Sequence, residues 1–343
     1  MTSGAEPVPW PSLTRIPAKE RLYARETYFR EGFGDAQDTL GPSLASALHH
    51  SALLMLKPDG LAAGKLRPTC AFLEEHGFRV VGVRELGFDR LRWRELWRYQ
   101  LTTATLDRLA VNEYFLSAGP ALLLLLCDNG RHPLPASVRL GTLKGSAGPA
   151  GRKPGTLRGA LGQSNRVLSL VHTADEPADV VRELGLLFDG PERRALLSGL
   201  ARGRPTAEHT QELAAALDRY GGPGRSLSGA ESLRRVRAAV EARRAAGGTP
   251  AGRAERVLAR LAEIREGGLI DWRAFARDLE ALELTVDRWD LAVLGSHCIR
   301  CDEADHPKLL EGPDPEAWIR TTGAAGENGP DHLPPSREKV HAD

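Results

Sequence analysis

Cysteine is scarce in this chain. Its 343 residues carry four, Cys70, Cys127, Cys298 and Cys301, and the first two sit in apolar runs as small core residues do. That usage fits a reduced, cytoplasmic setting. Charge of one sign is lacking too: 46 basic against 45 acidic side chains leave a formal net charge of +1, so there is no global case for nucleic acid or for an acidic partner. Long hydrophobic runs are absent. The longest, Pro120 to Cys127, is far too short to cross a bilayer. No charged segment followed by an apolar one opens the chain, so secretion is not expected. No internal repeat is present. What remains is an ordinary apolar fraction of 41%, enough for a sizeable core, in a chain long enough for two or three units.

Residues 1–50 read as an N-terminal arm, Pro-rich at first and then aromatic. It either packs on the core through Trp10, Tyr23, Tyr28 and Phe29 or stays a partly ordered tail. Residues 51–188 alternate strand and helix signals. Ser51–Lys57 is apolar and bounded by Pro-Asp-Gly, which predicts a buried strand. Residues 62–76 suit a helix stopped by Gly77, and the valine-rich Phe78–Leu86 a second strand. Helices are expected over 90–99 and 104–117, a third strand over Ala121–Cys127, loops over 128–165, a fourth strand over Arg166–His172 and a helix over Ala178–Leu187. This order resembles the split βαβ plan of a ferredoxin-like α+β fold, a four-stranded antiparallel sheet with helices. Residues 189–311 carry apolar residues at helical spacing, such as Val257, Leu258, Leu261 and Ile264, and read as an all-α C-terminal domain. From 312 to 343 Gly, Pro, Asp and Glu dominate, and a disordered tail is expected.

His172 ends an apolar strand and is followed by a helix. A neutral imidazole is a nucleophile near neutral pH, and its phosphoryl adduct is labile enough to be passed on. Glu183, eleven residues later, would reach the other ring nitrogen and set the tautomer. The alternative is a strand-end histidine satisfied by hydrogen bonds. Lys57 and Arg158 stand at Pro-Gly-type turns, which hold a long cation over a fixed spot. Phosphoryl transfer depends on such cations, on a metal ion and on positioning. A lysine supplies a point charge and an arginine a planar fork. The alternative for each is a solvated surface charge.

Lys57-Pro58-Asp59-Gly60, Gly77-Phe78-Arg79-Val80-Val81-Gly82, Ala118-Gly119-Pro120, Lys153-Pro154-Gly155-Thr156-Leu157-Arg158-Gly159, and His172 with Asp175, Glu183, Gly185 and Phe188 occur in that order. Together they resemble the nucleoside diphosphate kinase family over residues 51–188. The resemblance implies a ping-pong reaction. His172 would take the γ-phosphoryl group of a nucleoside triphosphate such as ATP and give it to a nucleoside diphosphate, with Mg²⁺ bridging the phosphates. It assigns Lys57 and Arg158 to phosphate, Glu183 to orienting the histidine, and Trp97 to the aromatic position where a tyrosine is usual. It also implies a homo-oligomer, although the added helices could block those contacts.

Several positions depart from the family pattern. Thr173-Ala174-Asp175 stands where Gly-Ser-Asp is usual, and Ser169 replaces the ribose-binding asparagine three residues before the histidine, with Asn165 as a potential substitute. Thr105–Tyr114 offers no clear phenylalanine clamp for the base. Arg139 serves as the second phosphate-binding arginine only with an insertion before Gly145, and Ser146 or Ala147 then takes the threonine position. Base and sugar recognition therefore look remodelled, which opens two other readings: a nucleotide-binding or regulatory module with weak or no turnover, and a scaffold whose helical part recruits partners. Outside the resemblance, Cys298-Ile299-Arg300-Cys301, with His297 and His306 nearby, is either a partial zinc motif or two ordinary thiols. The run Arg234-Arg235-Val236-Arg237 reads as a solvated helix face interleaved with glutamates, not a nucleic-acid surface.

Overall fold

The computed structural model describes residues 7–128, 130–148, 151, 153–247 and 252–326. Four strands, β1 (Ser51–Leu56), β2 (Phe78–Gly87), β3 (Pro120–Asp128) and β4 (Val171–Thr173), form one sheet in the order β2-β3-β1-β4. Every neighbouring pair is antiparallel. This is the ferredoxin-like arrangement.

The central strands explain why the sheet lies inside. Successive strand residues point to opposite faces, and β1 and β3 are apolar on both. Leu53, Met55, Leu123 and Leu125 enter one core. Leu54, Leu56, Leu122, Leu124 and Leu126 enter a second, smaller core on the other face. The smaller core is closed by the helix Leu66–Glu75 through Leu66, Phe72 and Leu73. The larger core runs without a break from the N-terminal helices through the sheet to Val257, Trp272 and Leu294 of the C-terminal helices. The helical half is thus packed against the same hydrophobic interior as the sheet. Among the described residues no helix is long and apolar enough to cross a membrane.

Four elements differ from the sequence-based expectation. The region 128–165, read as loop, contains the helices Ala136–Lys144 and Leu157–Ala160, whose few apolar residues are diluted by the surrounding Gly and Pro. The fourth strand is only Val171–Thr173. Residues before it are turned aside because Asn165 Oδ1 accepts the backbone N–H groups of Val167 and Leu168, both at 2.9 Å. The helix expected over 62–76 runs only from Leu66 to Glu75, after a separate short helix at Pro58–Ala62. Within the expected tail, Pro315–Gly326 is helical and Trp318 is buried, and 327–343 lie outside the described residues.

The N-terminal arm is helical at Trp10–Leu13, Pro17–Tyr23, Thr27–Leu40 and Leu44–His49. Tyr23 and Phe29 are buried, and Trp10 stacks on Phe29 at 4.9 Å between centroids. The helix Thr27–Leu40 crosses the helix Pro177–Leu187 at Gly32 and Gly185. A Cβ on Gly185 would lie 2.0 Å from the Tyr28 carbonyl oxygen, and one on Gly32 would lie 2.5 Å from that of Val181. Backbone cannot yield there as a side chain would. Gly185→Ala is therefore expected to destabilise the protein by roughly 1–3 kcal/mol, the usual cost of overpacking. An unchanged urea midpoint for that variant would remove this account of the crossing.

Candidate active site

The site is assembled where β1 ends. Lys57 follows the last strand residue, and its backbone N–H bonds the Leu170 carbonyl at 2.9 Å. Pro58 opens the helix Pro58–Ala62, as its missing N–H permits. The buried Asp59 accepts the Leu170 N–H at 2.9 Å through Oδ2. Gly60 is required: a Cβ there would sit 2.4 Å from the Leu170 oxygen. Leu170 itself has φ of 60°, a conformation that bulky residues adopt only where surroundings impose it. The Lys57–Gly60 turn supplies those surroundings, and the chain then re-enters the sheet so that His172 pairs opposite Met55.

His172 Nε2 lies 2.9 and 3.0 Å from the two Glu183 oxygens. Its Nδ1 receives the Trp97 indole N–H at 3.2 Å. Indole only donates, so Nδ1 carries the lone pair and Nε2 the proton. The rings of Trp97 and His172 meet edge-on, centroids 5.6 Å apart. Glu183 is buried on the helix Pro177–Leu187.

The imidazole faces a cavity of about 320 Å³ that Lys57, Trp97, Arg158, Ser169 and Asp175 also line. Lys57 is buried with its Nζ 3.5 Å from Asp59 Oδ1 and 5.0 Å from the Phe115 ring centroid. Burial first, then repulsion from Arg158 and Arg108, holds its ammonium below the ordinary lysine value despite Asp59. Arg158 is pinned by the carbonyls of Gly145 at 2.9 Å and Val171 at 3.0 Å. Lys144 donates to Thr173 Oγ1 at 2.7 Å and lies 3.6 Å from Asp175. Burial alone would raise the Asp175 carboxyl, but Lys144, with Lys19 and His172, draws it below the ordinary carboxylate range.

Of the residues singled out from sequence, His172, Glu183, Lys57, Arg158, Trp97 and Ser169 gather here. Arg139 does not. Its guanidinium is committed to Asp128 at 2.7 Å and to the His76 carbonyl at 2.6 Å, and it covers the Phe78 ring. The reason is position: the helix Ala136–Lys144 starts beside the end of β3, and Arg139 is on its first turn. Asn165 is also elsewhere, bonded to Ser296 Oγ at 2.8 Å. Phe115 lines the cavity as the floor beneath Lys57 and not as a clamp.

Other residues of the cavity wall were not singled out from the sequence. Arg108 and Asn112 face the cavity one turn apart on the helix Leu106–Leu116, with Phe115 a turn further. That i, i+4, i+7 stripe was legible as a helical face but not as a site wall. Arg166 enters from the turn before β4, and Lys308, Leu310 and Glu311 wall the cavity from the far end of the chain. Cys298 belongs to the core, where burial pushes its thiol up to about 12. The Cys301 thiol is also raised, chiefly by burial. Among the described residues no three His, Cys, Asp or Glu side chains gather as a metal site. In the arginine-rich helix, Arg235 pairs with Asp290 and Arg237 with Glu241.

A ferredoxin-like sheet that sets a histidine–glutamate pair beside a buried lysine and a pinned arginine has the architecture of the nucleoside diphosphate kinase-like fold class. The nucleoside diphosphate kinase family profile matches residues 50–192. The chain is 30% identical over 138 residues to a nucleoside diphosphate kinase of Syntrophotalea carbinolica, spanning 40% of this chain and 94% of that protein. It is 25% identical over 141 residues to one of Roseiflexus castenholzii, spanning 41% and 89%. Among solved structures, a halophilic nucleoside diphosphate kinase from Halobacterium salinarum in complex with CDP aligns at 25% identity and a TM-score of 0.35, over 40% of this chain and 87% of that one. The chain belongs to the nucleoside diphosphate kinase family through this segment, and more than half of its length lies outside the match.

Proposed function

We propose that the protein transfers the γ-phosphoryl group of a nucleoside triphosphate to a nucleoside diphosphate through a phosphohistidine on His172. The observation that carries this reading is the alignment Glu183–His172–Trp97 in a cavity shared with Lys57 and Arg158. Glu183 holds the Nε2 proton, so Nδ1 is the attacking nitrogen. Its lone pair forms the N–P bond as the bond from phosphorus to the bridging β–γ oxygen breaks, and the nucleoside diphosphate leaves with that electron pair. The positive charge that develops on the ring is met by Glu183. Lys57 and Arg158 face the charge spread over the phosphoryl oxygens. A nucleoside diphosphate then reverses the step. Trp97 must first release Nδ1, and its N–H is then placed to donate to a phosphoryl oxygen.

The family implies Mg²⁺. A cation that keeps its waters and binds mainly through substrate phosphates needs only one or two carboxylates, and Asp175 is the carboxylate on this cavity beside the histidine. The donor set fits on that basis, and Asp175 would face the ion. Bound with the nucleotide, it would neutralise phosphate charge.

Incubation with γ-labelled ATP is expected to give an acid-labile, base-stable adduct on the wild type, discharged by added nucleoside diphosphate and missing from His172→Asn. No adduct on the wild type would refute the reading. One observation favours a second, binding-only reading: the nucleophilic lone pair is already engaged by Trp97. Measurable ADP affinity without adduct would be its result.

A further inference from the structure

Two further cations face the same cavity. Arg108 reaches it from the helix Leu106–Leu116, and Arg166 from the turn before β4. A residue far along the chain draws them together. Asp302 takes Arg108 Nη1 on Oδ1 at 2.6 Å and Arg166 Nη1 on Oδ2 at 2.5 Å. Thr103 Oγ1 also donates to Oδ1, at 3.1 Å. Asp302 is itself tied down: it bridges to Ala104 as in a sheet, Thr105 N–H bonds the Cys301 carbonyl at 3.2 Å, and Glu303 N–H bonds that of Thr103 at 2.7 Å. Arg108 and Arg166 both line the cavity, and Asp302 does not.

Among the described residues Asp302 is the one carboxylate paired with either arginine. Two full charges share a single negative one, so the pair keeps net positive charge, and each planar head has further N–H groups beyond the Nη1 that Asp302 takes. The pair also adjoins the other cations. Arg158 and Arg108 both repel the Lys57 ammonium, and Arg166 repels Arg108. Arg158 touches the carbonyl of Val171, next to His172. Arg158, Lys57, Arg108 and Arg166 thus make a cationic series on the wall of the cavity that His172 also lines.

We propose that Arg108 and Arg166 form a second anion-binding locus in this cavity, taking oxygens of a polyphosphate chain beyond the group beside His172. The locus rests on the reading that the cavity receives nucleotide phosphates. It makes the site select for chain length, because only a longer polyphosphate reaches both ends of the series.

The test is calorimetric titration of the full chain with inorganic tripolyphosphate and with pyrophosphate, at fixed ionic strength. Wild type is expected to prefer tripolyphosphate by about tenfold, the equivalent of one good charged hydrogen bond. In Arg166→Gln and Arg108→Gln that ratio falls toward one. A purely structural role would weaken both ligands together and leave the ratio alone, which overturns the proposal, as does a wild type without preference. Arg166 is 41% exposed in its side chain, so Arg166→Gln should fold and decides the matter if Arg108→Gln does not. A wild type that forms phosphohistidine yet shows no length preference sinks the locus alone. A preference lost in Arg166→Gln without any phosphohistidine keeps the locus and sinks the transfer reading.

Discussion

Lys19→Met is expected to lose roughly 3–5 kcal/mol of stability, the cost of removing one partner from a buried ionic group. Lys19 is 2% exposed and bonds Asp179 Oδ2 at 2.5 Å and Glu176 Oε2 at 3.1 Å. Thr14, Tyr23 and the indole of Trp318 complete the shell of these two carboxylates. Without the ammonium, two carboxylates would face each other out of water at the start of the helix Pro177–Leu187. Burial alone would lower the Lys19 ammonium, but Asp179 and Glu176 raise it above its ordinary value. A raised lysine contributes stability that is complete below the unfolded-state value and disappears as pH rises through the folded-state one. The difference between wild type and variant should thus be full at neutral pH and fade only in alkali, above about pH 10. Urea unfolding of both proteins across that range measures it. Loss under about 1 kcal/mol at neutral pH would mean that the group is not the clamp its burial implies.

Glu183→Ala should slow phosphohistidine formation on the order of 100-fold, the scale of a lost acid–base partner. Both Glu183 oxygens lie within 3.0 Å of Nε2. Without them the proton is free to move to Nδ1, and the ring's developing charge has no counter-ion. Rapid-quench measurement of label incorporation from ATP reads the rate. Binding of ADP, which this carboxylate does not touch in the proposed arrangement, should stay within a few-fold, and Glu183→Asp should recover part of the rate. A Glu183→Ala rate near that of wild type would show that the carboxylate does not set the tautomer.

These two variants bear on one helix. Glu176 and Asp179 cap its start, and Glu183 projects from its middle. The arm that carries Lys19 is 157 residues from Glu176 in the chain, yet it fixes the element that aims the histidine. The arm's aromatic residues were legible as a packing surface, but a lysine between prolines and arginines carried no sign of burial. The same holds for Trp318, in a stretch whose composition suggested disorder.

The sheet was written in the sequence, as were the four side chains that meet at its edge. The apolar residues of β1 and β3 point to both faces of the sheet and fill two cores, and Lys57, Arg158, His172 and Glu183 each sit in a short motif that is legible as such. Tertiary structure alone decided the walls. Arg139 is withheld because Asp128 lies next to it in space, and Arg108 and Arg166 are united by a carboxylate 194 residues from the first of them. Local periodicity and turn chemistry act over a few residues, and charges settle wherever packing of distant segments places their partners.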